Sequence, residues 1–141
     1  LFRSHKTTQP GEEFHEFSRE QLESWLNSLG QKNDRKDFAI IEATTDSFVG
    51  EVVLNHIQNE SANLRIAILP KFFNQGHGTD AVRQAVAYGF EILKLKKITL
   101  DVYTINPRGI RVYEKCGFKE VSIKEEPSGI KEIHMEILAQ R

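Results

Sequence analysis

The chain has 141 residues, 19 Lys and Arg against 20 Asp and Glu for a net charge of -1, and 39% hydrophobic residues, which is the size and composition of one globular domain. The charge balance excludes the broad basic field of a nucleic-acid binder, and no apolar run approaches the ~20 residues that span a bilayer. A single cysteine, Cys116, provides no intrachain disulfide framework, and no signal-peptide pattern opens the residues present, which begin at Leu1 rather than Met, so a reducing cytoplasm is the expected setting.

Residues 1–17 show no sustained periodicity and include the turn signal Pro10-Gly11, so they read as mostly loop. Ser18 and Gln21 then form a capping box, Phe17 and Leu22 are placed for a hydrophobic staple, and Leu22, Trp25, Leu26 and Leu29 make one apolar stripe that stops at Gly30. This predicts an amphipathic helix. Three β-like runs follow, at 38–43, 48–57 and 62–69, joined by turns short enough to imply an antiparallel meander. After Pro70 comes a glycine-containing loop, and a helix carries Ala81, Val82, Ala85, Val86, Gly89, Phe90 and Leu93 on one face. A strand at 98–103 leads to a short helix capped by Asn106, with Pro107 in its first turn and Gly117 beyond its end. Two more strands, at 118–123 and 130–138, close the chain around the turn-prone segment 125–129. The pattern predicts a single α/β (α+β) domain over 1–141 with a mixed central sheet and no internal repeat.

The segment Asn74-Gln75-Gly76-His77-Gly78-Thr79 lies between a strand and a helix. A helix start exposes unpaired N–H groups and a partial positive charge, and glycine lets an anion approach closely, so the loop is suited to a pyrophosphate. Taken alone it reads equally well as an unliganded tight turn. It lacks both the Lys-Ser/Thr pair of a P-loop and the third glycine of a dinucleotide fingerprint. In the second helix Ile110, Tyr113 and Cys116 share a face, so core packing is an available role for Tyr113 and for Cys116. A thiolate at Cys116 would sit at the unfavourable end of the helix dipole, which argues against an acyl-cysteine route.

The ordered pair Gln75-Gly76-His77-Gly78-Thr79-Asp80-Ala81 and Asn106…Tyr113-Glu114-Lys115-Cys116-Gly117-Phe118 resembles motifs A and B of the GNAT N-acetyltransferase superfamily. The likeness covers roughly residues 38–118 and is closest to the branch of ribosomal-protein N-terminal and spermidine acetyltransferases. The resemblance implies a mixed, mostly antiparallel sheet whose splayed strand pair binds CoA. The implied activity is acetyl transfer from acetyl-CoA to a primary amine, by direct attack through a tetrahedral intermediate and without a metal. Ile66, Ala67 and Ile68 would follow the pantetheine arm, and the backbone of Asn74, Gln75, Gly76, His77, Gly78 and Thr79 would hold the pyrophosphate. Asn106 would meet the arm, and Tyr113 would face the sulfur as an acid or hydrogen-bond donor. The amine's proton needs an acceptor; Glu51 ranks first and Glu42 and Asp101 below it, while His56 reads as solvent-facing and His77 as pointing out of its loop.

Two departures stand out. Phe73 replaces the Arg or Gln that the family carries three residues before its first motif glycine, with Lys71 as a possible substitute, and Asn63 replaces an acidic residue of the spermidine branch. The implied partners are a small-molecule or peptide amine and, if a sheet edge is left open, further copies of the chain. The rival reading is a non-catalytic acyl-CoA-binding sensor or docking module. Neither nucleic acid nor a membrane is expected.

Overall fold

A computed structural model describes residues 2–4 and 34–140. In chain order these form β1 (Phe2–Ser4), β2 (Lys36–Glu42), β3 (Phe48–Gln58), β4 (Ser61–Ile68), a 3-10 turn (Pro70–Phe72), α1 (His77–Glu91), β5 (Lys97–Tyr103), α2 (Pro107–Lys115), β6 (Lys119–Glu125) and β7 (Lys131–Leu138). Among the described residues the strands make one sheet in the order β1-β2-β3-β4-β5-β7-β6. The expected meander is β2-β3-β4, and β5-β7-β6 is a second antiparallel group. Two contacts are parallel, β1 with β2 and β4 with β5. The expected class and the mostly antiparallel mixed sheet are both present.

The loop reading of 1–17 needs correction at its start, because Phe2–Ser4 pairs with residues 40–42 and so borders β2. Three residues are too few for strand alternation to be visible in a sequence. The helix expected from Ser18 to Gly30, with Trp25, lies outside the described residues.

The sheet is built by alternation. Val52 and Leu54 of β3 join Ala81, Val82 and Ala85 of α1 in the main core, so the intervening Glu51 and Val53 project to the opposite face. Tyr113 and Phe118 extend that core on the α2 side, with ring centroids 6.0 Å apart in an edge-on arrangement. At Gly50 the two strands approach too closely for any side chain: a Cβ there would collide with the Ala67 carbonyl oxygen and lie 2.9 Å from the Ile68 Cα.

One feature of the topology positions the site. β4 and β5 pair only from Ser61↔Lys97 to Asn63↔Thr99. Beyond that point β4 stays bonded to β3, and β5 to β7, while the two diverge from each other. The sheet-side backbone groups of residues 64–68 then face an opening, and a buried N–H or C=O that lacks a strand partner must find another.

Candidate active site

The opening is continued by the glycine loop. Asn74 (φ 61°) and Gly76 (φ 87°) take left-handed backbone conformations, which glycine adopts without strain. Gly76 is the N-cap of α1 and makes no side-chain cap hydrogen bond, and the start of a helix is an environment that favours an anion. Gln75 braces the loop by donating from Nε2 to the Lys71 carbonyl at 3.0 Å.

His77 corrects an expectation. It is the first residue of α1, fully buried, with its ring 5.5 Å from and edge-on to Phe72 and its Nε2 3.5 Å from Glu42 Oε2. The side chain does not point out of the loop. It packs inward on Glu42, which is itself buried at the end of β2 and accepts a hydrogen bond from the Thr45 hydroxyl at 2.8 Å. Glu42 is therefore committed to the interior, and His77 offers a ligand only its backbone.

On the other side stands α2. The Asn106 Oδ1 accepts a hydrogen bond from the Gly109 N–H at 3.0 Å, as a capping residue should, with Pro107 following it. Its amide NH₂ retains the donors. Gly109 makes room for this arrangement, since a Cβ there would lie 2.7 Å from Asn106 Nδ2. Gly117 has φ 100°, the left-handed conformation expected beyond the helix end. Tyr113 is 7% exposed, and burial, with a smaller contribution from Cys116, pushes its phenol up to about 12. Cys116 donates from Sγ to the Thr79 carbonyl at 3.6 Å. Burial raises its thiol, against the pull of Arg83 and Lys115, which fits the packing role.

Loop, splayed strand and α2 enclose a cavity of about 480 Å³. Of the residues singled out in the sequence it is lined by Ile66, Ala67, Ile68, Asn74, Gly76, His77, Gly78, Thr79, Asn106 and Tyr113. Gln75 and Glu51 are not part of its lining. Glu51 pairs with Ala67 and Ala39 across its strand neighbours and contributes to the field that raises the Arg35 guanidinium, behind the larger effect of Asp37. Arg108, Arg111 and Lys115 do line the cavity; sequence reasoning passed them over, although their i, i+3, i+7 spacing places them on one helix face.

A second omission is His134, whose Nδ1 lies 2.9 Å from Asp101 Oδ1 on the neighbouring strand, with Glu136 3.6 Å from its Nε2. Asp101 alternates with the core residues Leu100 and Val102, so this pair lies on the same sheet face as Glu51. Among the described residues no three His, Cys, Asp or Glu side chains converge as a metal site, and no helix is long and apolar enough to cross a membrane.

The acetyltransferase (GNAT) domain model matches residues 2–119. The chain belongs to the GNAT acetyltransferase family. It is 34% identical over 103 residues to a spermidine N(1)-acetyltransferase of Vibrio cholerae, covering 72% of this chain and 59% of that protein. It is 30% identical over 90 residues to a spermidine N(1)-acetyltransferase of Escherichia coli K12, covering 64% of this chain and 48% of that one. It therefore spans about half to three-fifths of the length of these relatives. A dodecameric structure of spermidine N-acetyltransferase from Vibrio cholerae superimposes with a TM-score of 0.72 at 31% identity, over 86% of this chain and 74% of that one. Phe73 and Asn63, both singled out in the sequence, are at structured positions. Phe73 lines the cavity, and Asn63 stands at the last β4–β5 pair, its Oδ1 3.5 Å from the Thr99 hydroxyl.

Proposed function

We propose that this GNAT domain transfers the acetyl group of acetyl-CoA to a primary amine by direct attack on the thioester. The observation that carries the reading is the buried phenol of Tyr113, set in the same cavity as the start of α1. The residues fit acetyl-CoA. The first-turn N–H groups of α1 and the cationic wall of α2 suit its phosphates, and the unpaired edge of β4 at Ile66, Ala67 and Ile68 suits the amide-bearing pantetheine arm.

When bound, acetyl-CoA supplies the activated acyl group. The backbone of 74–79 would hold the pyrophosphate, and the Asn106 amide would donate to the arm. A β4 N–H in the splayed segment would stabilise charge developing on the carbonyl oxygen. Tyr113 would donate its hydrogen bond at the sulfur. The proton of the attacking amine leaves on the far face of the sheet, where Glu51 is the proposed acceptor, directly or through water. The acceptor substrate is proposed to be a small-molecule or peptide amine. Spermidine, the acceptor named for the relatives, is the first amine to test, although Asn63 in place of an acidic residue weakens the case for a polyamine.

The experiment is an assay of CoA thiol release from acetyl-CoA against a panel containing spermidine, small primary amines and peptides with free N-termini. Release above background with any amine supports the transferase; bound acetyl-CoA with no release for all of them overturns it in favour of a sensor module. In the same assay Glu51→Gln is expected to lower kcat at least tenfold, within the range of general-base contributions. Unchanged turnover would remove Glu51 from the mechanism and direct attention to the Asp101–His134 pair.

We also propose that the chain self-associates. Among the described residues β6 is an edge strand, all seven of its residues are exposed, and Val121 and Ile123 are 57% and 53% exposed. An apolar open edge favours pairing, and a structural relative is dodecameric. Sedimentation velocity is expected to show an oligomer that Ile123→Lys dissociates; a monomer at all concentrations would contradict this.

A further inference from the structure

The pyrophosphate loop of this chain contains no basic side chain able to face a ligand. From Phe73 to Thr79 the only titratable residue is His77, whose ring is buried against Glu42. Lys71 lies over the Phe72 ring, 5.9 Å from the centroid, and is not part of the cavity wall. A different cation is built against the loop. The Arg108 guanidinium, from the first turn of α2, stacks 4.2 Å from the Phe73 ring centroid, and its Nε–H donates to Asn74 Oδ1 at 3.3 Å. Arg108, Phe73 and Asn74 all line the cavity.

We infer that Arg108, on helix α2, is the cationic arm for the pyrophosphate, with Phe73 and Asn74 serving as its holder. The inference rests on the acetyl-CoA reading and specifies a binding residue within it. The aromatic face fixes the plane of the guanidinium, the Asn74 bond uses Nε, and the two Nη groups are left to bind a phosphate pair. An arginine pre-set in this way loses less rotamer freedom on binding than a mobile surface lysine. Arg111 and Lys115, farther along the same helix face, keep the wall positive.

The test compares wild type, Arg108→Gln, Arg108→Lys and Lys71→Gln, by titration with acetyl-CoA and by turnover of S-acetylpantetheine, which lacks the pyrophosphate. Arg108→Gln is expected to weaken acetyl-CoA binding roughly 10- to 100-fold, the scale of a lost charge-assisted contact. It should leave kcat/KM for S-acetylpantetheine within about twofold of wild type. Arg108→Lys should recover part of the loss, and Lys71→Gln should bind acetyl-CoA like wild type. Unchanged acetyl-CoA affinity in Arg108→Gln, or an equal loss with both acyl donors, would overturn the assignment. Wild-type protein that binds no acetyl-CoA would instead refute the functional reading on which it rests.

Discussion

Replacing Tyr113 by phenylalanine is expected to lower kcat about 10- to 100-fold while acetyl-CoA affinity changes by less than about threefold, because only a hydroxyl at the reacting end is removed. The raised phenol decides what kind of help Tyr113 gives. Burial holds it at about 12, whereas an ordinary thiol lies near ~8.5. Complete proton transfer to the departing sulfur would therefore run uphill. In the proposed mechanism the phenol acts as a hydrogen-bond donor that stabilises the developing thiolate, so the effect should fall at the lower end of general-acid contributions. It stays protonated through neutral and mildly alkaline pH, and an alkaline limb in the rate profile below ~10 must come from another group.

The same burial affects stability. Above ~10 the unfolded chain releases the phenolic proton that the folded chain retains. The folded state should thus lose stability as pH rises from ~10 towards about 12, and this component should be absent in Tyr113→Phe. Steady-state kinetics with acetyl-CoA titration checks the first expectation, and denaturant unfolding across that pH range checks the second. Turnover in the variant equal to wild type would reduce Tyr113 to a packing residue.

Gly50→Ala is expected to destabilise the fold by about 3 kcal/mol, a large effect for one methyl group. The atoms in its way are backbone, the Ala67 carbonyl and the Ile68 Cα, so no side-chain rotation relieves the clash. β4 must move away from β3, and Ala67 and Ile68 belong to the cavity wall. Acetyl-CoA binding should weaken along with stability. Urea unfolding with titration of the surviving folded protein measures both, and a stability within about 0.5 kcal/mol of wild type would show that the two strands separate at little cost.

The regular elements were readable from local signals. The turns between 43 and 62 produce the β2-β3-β4 meander, Asn106-Pro107 caps α2, and Gly117 takes the left-handed conformation its position calls for. The resemblance placed ten cavity residues on the loop, the splayed strand and α2. What escaped depends on contacts between distant segments. β1 offers three residues, too short a run for alternation, and its evidence lies in its pairing with β2. His77 looked like a loop residue because the sequence does not show that α1 begins at that position and turns the ring onto Glu42. The Arg108–Phe73 stack joins residues of different elements, so neither neighbourhood reveals it. Residue type and strand position favour Glu51, and those two signals do not show that it lies outside the cavity lining.

The central claim is that loop, splayed strand and α2 form an acetyl-CoA site, and isothermal titration of the folded protein with acetyl-CoA tests it most directly, with desulfo-CoA as a control for thiol chemistry. The account predicts saturable one-to-one binding with a Kd in the micromolar range and retention of desulfo-CoA binding, since the phosphate and pantetheine contacts are made by this chain's backbone and cations rather than at sulfur. No detectable heat or saturation from folded protein with either ligand would contradict it.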